Sequence, residues 1–275
     1  MKIYRDMDQA GLDAGYNNTA AVADSARILA DWDRRSAALA ATVPAHLDLR
    51  YDARERNRVD FFPAARKHAP VLVFIHGGYW QMRAKETFRF VAAGPLAHGI
   101  SIANVAYTLA PEASLESIVG EIRNAITWVE ANAPRWGGDA RRIVVSGWSA
   151  GGHLTAMALS HPAVRGGLAI SGIFDLEPIR LSFLNEKLKL DAGDVARLSP
   201  LANVAAAPRP LAIAYGTAEL PELQRQSQAF AAARARAGLP GTLAALPGHN
   251  HFTILEELAK PDGALTSLVR DLIAA

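Results

Sequence analysis

From Pro70 onward, short apolar runs recur with helical stretches between them, and this alternation limits the fold more than any other feature of the chain. Residues 71–75, 102–106, 143–146, 168–171, 211–215 and 243–246 are rich in β-branched and aliphatic residues and predict buried strands. Helical patterns are predicted around 85–98, 115–133, 151–160, 222–237 and 264–274. Strands apolar on both faces and separated by helices imply a mostly parallel central sheet with helices on both faces. Crossovers between parallel strands are right-handed, so a doubly wound α/β three-layer sandwich is expected. Before this region, residues 19–41 place Val22, Ala26, Leu29, Ala30, Trp32 and Leu39 at helical spacing. Two short β-like segments, 47–50 and 59–62, then flank a charged turn. No linker divides the chain. The expectation is one domain over residues 1–275 with a helical N-terminal extension, about 1–45, positioned as a partial cap over a pocket.

Composition removes several function classes. A chain of 275 residues buries a core without staples, and its cysteine count is zero. A disulfide framework, a cysteine-based metal site and a thiol nucleophile are excluded together. Lys+Arg at 29 against Asp+Glu at 27 is too balanced for an electrostatic nucleic-acid binder. The first residues are charged throughout, unlike a signal peptide, and no run approaches the roughly 18 apolar residues of a membrane span. The default expectation is a soluble cytoplasmic protein without nucleic-acid or membrane partners; a homodimer is left open.

The strongest chemical signal is Gly147-Trp148-Ser149-Ala150-Gly151-Gly152, directly after one predicted strand and directly before a helix. A serine hydroxyl is a poor nucleophile until it is held clear of the sheet, beside a base and at a helix N-terminus. A sharp strand-to-helix turn does this, and small residues on either side give it clearance. Ser149 is therefore the candidate nucleophile.

The first buried strand ends in His76-Gly77-Gly78-Tyr79-Trp80. A diglycine there lets the main chain turn inward and aim N–H groups at an oxyanion. By position the donors are Gly78 and Tyr79, with Ala150 as the third; Gly77 competes with Gly78. His76 is read as bracing this loop through backbone hydrogen bonds. His153 falls inside the helix that starts at the turn and is read as packing.

For the base, the loop Pro247-Gly248-His249-Asn250-His251-Phe252 follows the last strand. Its His251 is favoured because it precedes an apolar helix start, with His249 as the alternative. For the orienting acid, Glu219 lies past the strand at 211–215 and ahead of Pro221. Asp175 and Glu222 remain alternatives, since either also gives the order serine, acid, histidine. The rings of Tyr79, Trp80 and Trp148 are expected to line the substrate pocket; Arg83 and Lys85 are candidates to meet a substrate carboxylate.

With these residues the chain resembles the α/β-hydrolases of the hormone-sensitive-lipase-like branch, and most of all the kynurenine formamidase (arylformamidase) group. The His76-Gly77-Gly78-Tyr79-Trp80 string is similar to that group's; related esterases carry HGGG. The run from Glu219 through Pro221, Glu222 and Gln226 to Ser227, and the His251-Phe252 pair, also resemble family segments. The resemblance covers roughly residues 15 to 270 and implies the α/β-hydrolase fold and a triad of Ser149, Glu219 and His251. It departs from the family in having Glu where Asp is expected. The implied activity is two-step hydrolysis of a small acyl or formyl aryl amide or ester, with no metal or organic cofactor. A general small-acyl carboxylesterase is the rival, and a non-catalytic ligand-binding derivative of the fold a third reading.

Overall fold

The computed structural model describes every residue of the chain except Ala207. Its strands are β1 (His46–Arg50), β2 (Arg58–Phe62), β3 (Ala69–Ile75), β4 (Ser101–Val105), β5 (Gly138–Trp148), β6 (Val164–Ile170), β7 (Leu211–Gly216) and β8 (Gly241–Leu246). They form one sheet in the order β1-β2-β4-β3-β5-β6-β7-β8. From β4 to β8 the neighbours run parallel, while β2 is antiparallel to both β1 and β4.

Strand β3 is buried at every position, and its alternate residues serve opposite faces. Val71, Val73 and Ile75 join Ile118, Ile122 and Leu154 on one side. Leu72 and Phe74 join Trp32, Phe88 and Val91 on the other. The longest helices are α1 (Ser25–Thr42), α2 (Leu115–Asn132), α3 (Ala150–Ala158), α4 (Pro221–Arg236) and α5 (Ala264–Ala274). Helix α2 buries Leu115, Ile118, Val119, Ile122, Ala125, Ile126 and Val129, the three-and-four spacing of an amphipathic helix. Its N-cap is Ser114, whose side chain accepts from the Ser117 amide at 3.2 Å. Helices α2, α3 and α4 supply the Val73 side of the sheet, and α1 and α5 the Phe74 side. This is the doubly wound α/β architecture that the alternating pattern implies, with the α/β-hydrolase strand order expected from the resemblance.

Local boundaries differ from the sequence expectation. The helix expected around 85–98 is a 3-10 segment, Lys85–Ala92, followed by a short α-helix, Ala93–Ala97. Pro95 has no N–H with which to continue the preceding turns. The stretch 19–41 breaks at Val22, which is extended, so a short helix at Asn18–Ala21 precedes α1. Strand β5 outruns its predicted apolar core because Gly147 and Trp148 still pair with Ala169 and Ile170 of β6.

The N-terminal turns and helix Gln9–Ala14 are fastened to the body by side chains. The Tyr4 hydroxyl donates to Asp175 at 2.9 Å, and the Asp13 carboxylate accepts from the Phe183 amide at 2.9 Å. The Tyr16 hydroxyl donates to Glu222 at 3.3 Å and accepts from Gln226 at 2.7 Å. Beyond the C-terminal ends of β3, β5, β6, β7 and β8 stand His76, Ser149, Ser171, Glu219 and His251 respectively. Open parallel sheets place their sites along this edge.

Candidate active site

Ser149 joins β5 to α3 with φ 59° and ψ −117°, a conformation a serine adopts only under constraint. Its amide donates to the Ile170 carbonyl at 2.8 Å, which ties the turn to the end of β6. The flanking glycines are steric necessities. A Cβ on Gly147 would stand 2.2 Å from the Gly151 carbonyl oxygen, and one on Gly151 would stand 2.0 Å from that of Ile75. The spacing around the serine is thus set by backbone passing against backbone.

Next to this turn, Gly78, Tyr79 and Trp80 take φ values of 110°, 51° and 58° in succession. A Cβ on Gly78 would fall 2.2 Å from the Met82 carbonyl oxygen. The loop is pinned by the Ala110 amide donating to Trp80 O at 2.8 Å and by the Gln81 and Met82 amides donating to Gly78 O, each at 3.0 Å. Among the described residues, the N–H groups of Gly77, Gly78, Tyr79 and Ala150 have no acceptor. All the donors considered for an oxyanion are free.

The acid and the imidazole meet as a buried pair. His251 Nδ1 lies 3.0 Å from Glu219 Oε2, with the side chains 4% and 0% exposed. A carboxylate only accepts, so the imidazole proton sits on Nδ1 and leaves Nε2 as the basic nitrogen. The other oxygen of Glu219 accepts from Ser171 Oγ and from the Gly216 amide, both at 2.6 Å. Ser149 Oγ and His251 Nε2 are not hydrogen-bonded to each other in this conformation, and such contacts often tighten only with substrate. The two residues are linked through Trp148, whose ring is 4.7 Å from that of His251 and whose Nε1 donates to His251 O at 2.7 Å.

The alternatives are occupied elsewhere. His249 Nδ1 lies 3.1 Å from Thr253 O. Asp175 receives the Tyr4 hydroxyl, and Glu222 binds Arg225 through both oxygens. His76 is buried, with Nδ1 2.7 Å from Gly77 O and its ring stacked on Tyr107. His153 is buried against Trp80, with Nε2 2.8 Å from Leu198 O. Burial pushes both down to about 4, so at neutral pH they are uncharged structural rings.

Three expectations need correction. Trp80 is fully buried in the core edge-on to His153, and Trp148 is buried among Trp32, Phe88 and Phe252. Neither ring lines an open pocket; large apolar rings at this depth gain more from core packing. Tyr79 is half-buried, and its hydroxyl donates to Tyr16 O at 2.5 Å and accepts from Asn18 at 2.8 Å. Lys85 is 1% exposed and pairs with Asp48, Asp60 and Glu86, so it is not available to a substrate. Ser171 was not anticipated; a serine ending a strand carries no sign of its partner. Among the described residues no group of three or more metal-ligating side chains forms. No helix among them is long and apolar enough to cross a membrane. A cavity of about 310 Å³ lined by Leu211, Leu239, Gly241 and Leu243 lies at the opposite ends of β7 and β8, away from this chemistry.

Comparison with known proteins bears on this geometry. The prolyl oligopeptidase family model matches residues 117–262, and the BD-FAE model residues 60–164. The kynurenine formamidase of Salmo salar is 30% identical over 258 residues, spanning 88% of this chain and 85% of that protein. The chain belongs to the kynurenine formamidase family. The family's enzyme from Danio rerio is 28% identical over 242 residues, covering 82% of this chain and 81% of that one. A crystal structure of a proposed thioesterase from Silicibacter sp. TM1040 superposes with a TM-score of 0.85 at 29% identity, over 94% of this chain and 98% of that chain. Membership of this family makes the chain a hydrolase with the α/β-hydrolase fold.

Proposed function

We propose that the chain is a serine hydrolase that removes a small acyl or formyl group from an aryl amide or ester, of the N-formylkynurenine type. The observation that carries this reading is the buried Glu219–His251 pair beside the strained Ser149 turn. His251 Nε2 takes the Ser149 proton as Oγ attacks the carbonyl, and the oxyanion is met by the free amides of Gly78, Tyr79 and Ala150. His251 then gives its proton to the leaving aniline or alcohol, and water releases the acid from Ser149. Ser149 is 2% exposed, which favours a small group on the acyl side.

The N-terminal segment reads as a partial cap within a single domain, supported by the Tyr79 hydroxyl, which donates to Tyr16 O and accepts from Asn18. Arg83 makes no hydrogen bond or ion pair through its guanidinium among the described residues, and its stem lies against Gly78. It is the cation left to meet a substrate carboxylate. The Arg83→Met variant should raise KM for N-formylkynurenine and leave that for p-nitrophenyl acetate unchanged; equal effects on both substrates would remove this role.

The general carboxylesterase reading is supported by a 38% identity over 104 residues to the carboxylesterase NlhH of Mycobacterium tuberculosis. Comparing kcat/KM for N-formylkynurenine and p-nitrophenyl acetate decides between them. Ester cleavage with formamide turnover at background would leave the esterase. No turnover of either, and no adduct of Ser149 with an organophosphonate by mass spectrometry, would sink both.

A further inference from the structure

We propose that Ser171 is a positioning residue that fixes the Glu219 carboxylate for His251; this rests on the proposed triad. Ser171 sits one residue past β6 in the left-handed region, at φ 50°, and is fully buried. A glycine would take that backbone without strain, so a serine there points to a use for its side chain. The use is visible: Oγ donates to Glu219 Oε1 at 2.6 Å.

The arrangement answers a problem of length. Glutamate has one more rotatable bond than aspartate, so its carboxylate needs more restraint to present one oxygen to an imidazole. Ser171 Oγ and the Gly216 amide both hold Oε1, which leaves Oε2 for His251 Nδ1 at 3.0 Å. The same strand end serves the nucleophile, because the Ile170 carbonyl accepts the Ser149 amide at 2.8 Å. The Ser171 amide itself donates to Ala214 O at 2.7 Å, so the residue is anchored to β7 as well. A single dipeptide at the end of β6 therefore sets the nucleophile's turn with a carbonyl and the acid with a hydroxyl.

The test compares Ser171→Ala with Ser171→Gly on whichever substrate the wild type cleaves. Both lose the hydroxyl, but glycine relieves the backbone strain. Loss of a hydrogen bond to a charged group should lower kcat by roughly 10- to 100-fold in both, with KM unchanged. In a Glu219→Ala background neither change should lower kcat further, since the hydroxyl has nothing left to position. Wild-type kcat in Ser171→Gly, or the same fold loss with and without Glu219, would overturn the proposal. A wild type without Ser149-dependent turnover would instead remove the triad reading itself.

Discussion

The Glu219→Gln substitution probes the site most sharply, because it keeps shape and volume while changing one pattern of donors. Oε1 faces two donors, Ser171 Oγ–H and the Gly216 N–H, each 2.6 Å away. The carbonyl oxygen of a glutamine is therefore held at that position, and its NH2 faces His251 across the 3.0 Å contact now made by Oε2. An imidazole facing a donor must accept at Nδ1, so its proton moves to Nε2, the nitrogen meant to take the serine proton. The base is disabled by its tautomer while the three existing contacts of the cluster are kept. Holding a triad imidazole in the wrong tautomer lowers kcat by about 10⁴, equivalent to roughly 5.4 kcal/mol. Thermal stability should fall by no more than about 1–3 kcal/mol, the cost of the second amide N–H left without an acceptor. The assay is steady-state hydrolysis of an aryl acetate alongside a thermal melt. A kcat within tenfold of wild type, in a folded variant, would falsify the assignment of Glu219 as the orienting acid.

The pH dependence of stability follows from His76 and His153, each pushed by burial down to about 4. Their ordinary value is about 6.5, so between about pH 6.5 and 4 the unfolded chain binds more protons and stability falls as the pH falls. At pH 5 each ring should remove about 2 kcal/mol relative to pH 7, read from urea unfolding at the two values. A His153→Gln variant should lose roughly half of this slope; an unchanged slope would show that the ring is not buried neutral. The Gly151→Ala variant drives a Cβ against a backbone oxygen at 2.0 Å, in a place where both chains are fixed. Its destabilisation should exceed the roughly 1–3 kcal/mol of ordinary overpacking, and a melt within two or three degrees of wild type, about 1 kcal/mol at this size, would contradict the crossing described.

The sequence was most legible where backbone geometry dictates residue type. Gly147 and Gly151 stand at fixed distances from Ser149 because main chains pass there without room for a Cβ, so the spacing announces the turn. Glu219 and His251 follow strands that end on the same edge, and they rank above their rivals because Glu219 stands ahead of Pro221 and His251 directly precedes an apolar helix start. Other features were set by contacts distant in sequence. Trp148 reads as a residue crowding a nucleophile, but Trp32, 116 positions earlier, and Phe252, 104 later, enclose it in the core. Ser171 ends a strand like any other small residue until Glu219 is brought to it. The short helices between β6 and β7 escaped notice even though Asp191 and Asp194 form a reciprocal cap at the start of one of them.

The ties of Tyr16 also bear on the order in which the molecule is made. Its hydroxyl closes on Glu222 and Gln226, which follow it by 206 and 210 residues. On a ribosome the Tyr16 hydroxyl lacks both of these partners until α4 has emerged, and His251 emerges later still. A nascent chain halted before that point carries the serine turn but neither the proposed base nor the partners of the Tyr16 hydroxyl. On the proposed triad, hydrolysis therefore begins only once the loop after β8 has been released and has folded against β7.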